Sequence, residues 1–279
     1  MRLKSIALLL IVSFLAISTV FAGGGSDSSS GASQATISVG GSTSVTPLME
    51  LFQAQYESAN NVRITISGTG SGDGITGAAA GTYDIGMSSR ELRPAELAGL
   101  DVHVVAIDGI AVILNTSNPV TSLTIDQIKS IYTGDITRWE QLGAAASGKT
   151  GGIAVVSREP GSGTRGAFQE ILGFSDAELV RSAIQFDGTG AVRSSVAGNA
   201  DAIGYISIGS LDPSVKPLSV AGVAPTVANV RAGTYRVTRP FILMTRSNAP
   251  LSPAARAFLD WTMGPQAQPI VSTSWISVN

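Results

Sequence analysis

Three turns rich in glycine, serine and threonine carry the residues of this chain best suited to binding chemistry. Gly161-Ser162-Gly163-Thr164 follows a strand-like run over 153–156 and Arg158, and it precedes a helix-like run over 165–172. Such a turn directs backbone N–H groups, two hydroxyls and a helix N-terminus at one point, beside a guanidinium. The chemistry that this arrangement supports is the binding of an anion.

The same design occurs twice nearer the N-terminus. A strand-like run over 36–39 leads into Gly40-Gly41-Ser42-Thr43-Ser44-Val45 and a helical pattern from Pro47, and a run over 62–66 leads into 68–74 and a helical pattern over 75–80. One such turn is usually only a turn. Three strand-turn-helix units of this composition in one chain favour an anion site over plain turns.

Short apolar strands alternate with helical patterns from Thr36 onward, which predicts an α/β fold built on parallel sheets. The predicted strands cover 36–39, 62–66, 83–86, 102–106, 110–115, 153–156, 184–186, 202–206 and 239–244. The predicted helices begin near Pro47, Gly72, Thr124, Ser162, Gly188, Pro225 and Ser252. All three turns then follow the carboxyl ends of strands, where ligands of α/β folds bind.

The first residues have the pattern of a targeting segment. Arg2 and Lys4 precede an apolar run over 6–21, and Val20-Phe21-Ala22 offers the small residues that a signal peptidase reads. We therefore expect a signal peptide over residues 1–22, a Gly/Ser linker over 23–35 and an extracytoplasmic protein (periplasm or cell surface). An uncleaved N-terminal segment that tethers the protein to the membrane is the alternative, because the apolar run is close to membrane-spanning length.

Composition excludes several other classes of function. The chain has 279 residues, a net charge of −2 with scattered basic residues, and no cysteine, so nucleic acid binding, disulfides and thiolate metal sites are not expected. The Gly161–Thr164 turn lacks the Gly-Lys-Ser/Thr ending of a phosphate loop, and the single histidine, His103, has no Gly-x-Ser-x-Gly nucleophile to serve. We expect a binding protein rather than an enzyme, with no cofactor and no metal.

Ordered motifs along most of the chain give it a family resemblance. Together they resemble the phosphate-binding component of phosphate ABC transporters, the periplasmic phosphate-binding protein family. The motifs are Gly41-Ser42-Thr43-Ser44-Val45-Thr46-Pro47, Gly68-Thr69-Gly70-Ser71-Gly72, Asp84-Ile85-Gly86-Met87-Ser88-Ser89-Arg90, Asp108-Gly109-Ile110-Ala111-Val112, Ile131-Tyr132-Thr133-Gly134-Asp135-Ile136-Thr137-Arg138-Trp139, Arg158-Glu159-Pro160-Gly161-Ser162-Gly163-Thr164-Arg165 and Ala202-Ile203-Gly204-Tyr205-Ile206.

The resemblance implies a two-lobed periplasmic-binding-protein fold of type II, in which each lobe is an α/β sandwich and two strands form the hinge. Lobe one would comprise 36–111 and 237–279, and lobe two 112–236. Inorganic phosphate would bind between the lobes of a monomer and pass to an ABC permease and its ATPase. A phosphate sensor or scaffold of the same fold, or a binding protein for sulfate or molybdate, remains the alternative.

The resemblance also assigns the phosphate contacts. They are Thr43, Ser44, Ser71, Arg158, Ser162, Gly163 and Thr164. Ser89 stands where many family members have an aspartate that accepts the proton of phosphate, which leaves discrimination against sulfate open. Asp73 is a candidate substitute acceptor, with helix N-terminal capping as its other interpretation. Arg165, Asp108 and Arg90 are weaker candidates: we expect Arg165 to orient Glu159 or to pack on the helix, and Asp108 to fix hinge backbone.

Overall fold

The computed structural model describes residues 34–278. The predicted signal peptide and most of the predicted linker lie outside these residues. The described residues form eleven strands: β1 Ala35–Gly41, β2 Val62–Gly68, β3 Ile85–Ser88, β4 Leu100–Asn115, β5 Ser122–Leu123, β6 Ala154–Arg158, β7 Ile184–Phe186, β8 Ala202–Ser207, β9 Val215–Pro217, β10 Ser219–Val220 and β11 Thr238–Arg246. Eight α-helices accompany them: α1 Thr46–Glu57, α2 Ser71–Ala80, α3 Ile125–Thr133, α4 Gly163–Leu172, α5 Thr189–Ala197, α6 Val227–Arg231, α7 Pro253–Thr262 and α8 Gln268–Val271.

Most strands join one sheet in the order β2-β1-β3-β11-β4-β8-β6-β7, with β9 also paired to β4 and a separate pair β5-β10. The pairs β1-β2, β1-β3, β6-β8 and β6-β7 are parallel, as the alternation of strands and helices predicts. Strands β11 and β4 are antiparallel to their neighbours. Each end of the sheet is therefore a parallel set, and the two sets are joined through β11 and β4. None of the helices within 34–278 is long and apolar enough to cross a membrane.

Strand β4 corrects the prediction of two separate strands over 102–106 and 110–115. Its first part pairs with β11, from Leu100 opposite Arg246 to Gly109 opposite Thr238, and its second part pairs with β8, from Ile110 to Leu114. The strand continues through Asp108 and Gly109, which lie opposite Arg239 and Thr238 of β11. This one antiparallel strand thus pairs with β11 on one side and with β8 of a parallel set on the other.

Two large hydrophobic cores lie on either side of this junction. One is built from apolar residues of β1, β2, β3, α1, α7 and α8, with Phe52 and Phe258 fully buried in it. The other is built mostly between residues 110 and 237 and contains the buried aromatic rings of Tyr132, Phe168 and Tyr205. The cores follow the ranges predicted for lobe one and lobe two, whose residue boundaries stay a prediction.

The helices start in two different ways. Ser162 and Thr124 begin α4 and α3 with side chains that accept hydrogen bonds from the first turn, as the sequence predicts. By contrast α1, α2 and α5 follow Val45, Gly70 and Gly188, and no side chain caps them. The first N–H groups of these three helices are left without a capping side chain.

Candidate anion-binding site

The first turn places its hydroxyls at the end of β1. Gly41 has φ +131°, and a Cβ there would lie 2.3 Å from the carbonyl oxygen of Met87, so only glycine fits. The chain then enters α1 through Ser42, Thr43 and Ser44. Ser44 is 1% exposed although it is polar, which indicates a site built for a hydrogen-bonding partner.

The turn after β6 meets the first turn directly. Ser162 caps α4 by accepting a hydrogen bond from the backbone N–H of Arg165 at 3.2 Å, which fixes the position of the next residues. Thr164 Oγ1 lies 2.8 Å from Ser44 Oγ. Hydroxyls from the two predicted lobes are therefore in hydrogen-bond contact.

Arg158, at the end of β6, is 2% exposed and held by its neighbour in sequence. Its Nε and Nη2 atoms each donate to a carboxylate oxygen of Glu159 at 2.7 Å. Nη2 also donates to Thr43 Oγ1 at 3.0 Å. Because the two parallel bonds to the carboxylate fix the plane of the guanidinium, its remaining N–H groups have a set direction.

The second turn joins the cluster through Ser71. Ser71 Oγ accepts a hydrogen bond from the backbone N–H of Ser89 at 3.1 Å, and the two hydroxyl oxygens are 3.4 Å apart. A Cβ on Gly163 would lie 2.2 Å from Ser71 Oγ and 2.9 Å from Ser89 Oγ. The backbone of Gly72 donates to the carbonyl of Gly161 at 3.0 Å. The second and third turns are packed against each other.

The structure thus brings together eight residues that the sequence singles out: Thr43, Ser44, Ser71, Ser89, Arg158, Ser162, Gly163 and Thr164. We call them, with Thr189 below, the polar cluster. Asp73 is not brought there: it is exposed on α2, and its carboxylate accepts a hydrogen bond from the hydroxyl of Tyr83 at 3.3 Å.

The weaker candidates bind other protein groups. Arg165 does not orient Glu159; it pairs with Asp176, and it also donates to Gln185 at 2.8 Å and to the carbonyl of Arg158 at 2.9 Å. Arg165 therefore stabilises the Gly161–Thr164 turn through the backbone of Arg158 and does not point into the cluster. Arg90 pairs with Glu96 at 2.7 Å.

Asp108 forms a buried ion pair with Arg239 across β4 and β11, at 2.9 Å, and accepts a hydrogen bond from Ser207 at 2.8 Å. Burial raises the pKa of Asp108 to about 6, and the charge of Arg239 acts in the opposite direction. Arg239 also donates to the carbonyl oxygen of Ser89 at 3.3 Å. The pair thus links the junction strands to the polar cluster without placing Asp108 in it.

Sequence reasoning missed Thr189, the first residue of α5. It is 6% exposed, and its hydroxyl lies 3.2 Å from Ser44 Oγ, 3.3 Å from Thr43 Oγ1 and 3.4 Å from Arg158 Nη1. The signal was present, since Gly188-Thr189-Gly190 follows a strand as the other turns do. It was weaker because the turn carries one hydroxyl rather than two.

Hydrogen-bond donors dominate the polar cluster. It contains the hydroxyls of Thr43, Ser44, Ser71, Ser89, Ser162, Thr164 and Thr189, the Arg158 guanidinium, and the starts of three helices without capping side chains. Among the described side chains that contact it, only Glu159 is a carboxylate, and both of its oxygens bind Arg158. Buried donors require acceptors, and an anion with several oxygens provides them. No set of three or more His, Cys, Asp and Glu residues suited to a metal ion occurs within 34–278.

Comparison with known proteins gives the family of the chain. Residues 26–266 match the model of the PBP superfamily domain. The phosphate-binding protein PstS of Bacillus subtilis is 30% identical over 97% of this chain and 92% of its own length.

Two crystal structures share the fold. One is a putative phosphate ABC transporter substrate-binding protein with bound phosphate from Clostridium perfringens, at 43% identity and a TM-score of 0.84, covering 88% of this chain and 100% of that one. The other is an ABC-type phosphate transport receptor from Vibrio cholerae, at 33% identity and a TM-score of 0.70, covering 86% and 99%. The expected α/β, two-lobed fold is confirmed. The chain belongs to the PBP superfamily and, within it, to the family of the phosphate-binding protein PstS.

Proposed function

We propose that this protein captures inorganic phosphate between its two lobes and delivers it to an ABC importer. The observation that carries the proposal is the polar cluster, in which buried hydroxyls of both lobes converge on the oriented guanidinium of Arg158. The PstS relatives support phosphate as the ligand. The role is binding and release, without chemistry on the ion.

Each part of the cluster has a function in capture. Arg158, oriented by Glu159, meets the phosphate with fixed N–H groups, and the hydroxyls of Ser44, Ser71 and Thr164 donate to its oxygens. The starts of α1 and α2, which no side chain caps, add a favourable helix dipole. Because donors come from both lobes, the bound ion stabilises the closed arrangement over an open one.

The choice between phosphate and sulfate depends on an acceptor for the proton that only phosphate carries. Ser89 is fully buried and offers a hydroxyl, which accepts as well as donates, whereas a carboxylate would only accept. The cluster has no uncommitted carboxylate among the described residues, since Glu159 is engaged with Arg158. This feature favours a second candidate function, binding of sulfate or another tetrahedral oxyanion, and we expect weaker discrimination than a carboxylate at position 89 would give.

Location and assembly follow from the same role. PstS-type binding proteins are extracytoplasmic, and we propose that residues 1–22 direct export, with cleavage after Ala22 or retention as a membrane tether. An ABC permease and its ATPase would receive the ion from a monomeric binding protein.

Calorimetric titration tests the proposal. The purified protein, stripped of bound ion by partial unfolding and refolding, is titrated with phosphate and separately with sulfate. We expect tight one-to-one binding of phosphate and weaker but measurable binding of sulfate. Absence of phosphate binding would contradict the proposed function, and sulfate binding as tight as that of phosphate would favour the second candidate.

A further inference from the structure

The turn that starts α5 lies beside the turn that carries Arg158. Strands β6 and β7 are parallel, with Arg158 opposite Phe186 at their carboxyl ends, and the backbone of Glu159 donates to the carbonyl of Phe186 at 3.3 Å. The chain after β7 therefore emerges next to the chain after β6. This pairing brings Thr189 to the polar cluster although 31 residues separate it from Arg158.

We propose that Thr189 is a further anion-binding residue that also holds the two lobes together around the ion; this inference rests on the proposed function. Its hydroxyl lies within 3.4 Å of Arg158 on its own lobe and of both Thr43 and Ser44 on the other. A hydroxyl has one proton and two lone pairs. Since Arg158 fills one lone pair by donating, the proton and the second lone pair of Thr189 are left for Thr43, Ser44 and an anion oxygen.

The start of α5 is shaped for this role. Gly188 precedes the helix with φ +83°, a conformation that favours glycine, and no side chain caps the first N–H groups. A Cβ on Gly188 would already lie 3.8 Å from the methyl group of Thr43. The backbone of this turn therefore lies close to lobe one. The Thr189 hydroxyl is the side-chain donor of the turn.

The consequence is a fourth helix start in the site. Lobe one contributes the beginnings of α1 and α2, and lobe two contributes those of α4 and α5. Thr189 then contacts the ion from the same side as Arg158, while its neighbours Thr43 and Ser44 belong to the opposite lobe. Loss of its hydroxyl should weaken both the hold on the ion and the contact between lobes.

The test compares three variants of the full protein by phosphate calorimetry. Thr189→Val keeps the shape and removes the hydroxyl, Thr189→Ser keeps the hydroxyl, and Thr65→Val is a matched control on the exposed face of the edge strand β2. We expect phosphate affinity to fall about tenfold to hundredfold in Thr189→Val, because a hydrogen bond to a charged group is lost. Thr189→Ser and Thr65→Val should stay within about threefold of wild type by the same scale.

Thermal unfolding separates a binding role from a structural one. Without phosphate, Thr189→Val and wild type should melt at similar temperatures, and the rise in Tm on adding phosphate should be smaller in the variant. If wild type binds phosphate and Thr189→Val binds it equally well, the inference is overturned while the proposed function stands. If Thr189→Val does not fold, Thr189→Ala takes its place. A parallel loss in Thr189→Ser would also overturn the role of the hydroxyl.

Discussion

Arg158 acts through the geometry of its guanidinium, and Glu159 sets that geometry. The carboxylate takes two parallel hydrogen bonds at 2.7 Å, so the side chain cannot rotate without breaking both. Because Glu159 follows Arg158 in the chain, this orientation does not depend on contacts with the other lobe. Preorganisation of this kind lowers the entropic cost of binding.

Replacing Arg158 by lysine tests this interpretation. An ammonium keeps the charge but cannot bind Glu159 with two parallel bonds and still reach both threonines. We expect phosphate affinity to fall by about tenfold or more, with the fold retained. Calorimetry on Arg158→Lys measures the effect, and Arg63→Lys, on the exposed edge of β2, is the control. Equal affinity in the two variants would mean that charge alone holds the ion.

Single residues also mark how far sequence reasoning reaches. Hydroxyls of the three turns lie together in the structure: the first two turns follow β1 and β2 of one parallel set, and the third follows β6 of the other. Asp73 was not brought to the cluster because it follows Ser71 by two positions on α2. Residues two positions apart on a helix point about 200° apart around its axis. Ser71 therefore faces the cluster, and Asp73 faces solvent. Helical periodicity could have made that distinction.

At the scale of elements, strands β4 and β11 are notable because they bury two charged side chains. They connect the two parallel sets, and they bury Asp108 and Arg239 against each other, with exposed fractions of 1% and 3%. Sequence could not predict this pair, because its members lie 131 positions apart and meet only through the antiparallel register that places Arg239 opposite Asp108. The same register continues β4 through residues 107–109, which lie between two strands predicted from the sequence.

The buried Asp108 predicts an unusual dependence of stability on pH. Its pKa is raised to about 6 in the folded protein by burial, above the ordinary value of 3.8. Between these values the folded state holds a proton that the unfolded state has lost. The contribution of Asp108 to the free energy of unfolding is therefore present below about pH 4 and falls as pH rises through about 6.

Urea unfolding of wild type and Asp108→Asn, each measured between pH 4 and pH 7 without phosphate, isolates this contribution. We expect the wild-type free energy of unfolding minus that of the variant to decrease with rising pH, by at most about 1.4 kcal/mol per pH unit. The other titrating groups cancel in the difference. A difference that increases with pH would show instead that Arg239 lowers the pKa of Asp108 below its ordinary value.

At the scale of the whole molecule, the contacts of Gly163 indicate how closely the lobes approach. Gly163 is the first residue of α4, with no positive φ, so alanine suits its backbone. Yet a Cβ would lie 2.2 Å from Ser71 Oγ and 2.8 Å from Ser71 Cβ, and rotation of the hydroxyl relieves only the first contact. The added methyl group obstructs closure and leaves each lobe intact.

Gly163→Ala should therefore separate closure from folding. We expect its free energy of unfolding without phosphate to stay within about 1 kcal/mol of wild type. Phosphate affinity should fall by about a hundredfold, because closure would bring the new methyl group and the Ser71 side chain closer than van der Waals contact. In small-angle X-ray scattering, saturating phosphate should reduce the radius of gyration of wild type and leave that of Gly163→Ala unchanged. Gly190→Ala is the matched control, because it is also at a helix start and its Cβ would meet nothing within 4 Å. Compaction of Gly163→Ala equal to that of the control would show that the lobes capture the ion without approaching as closely as Gly163 and Ser71 do in this structure.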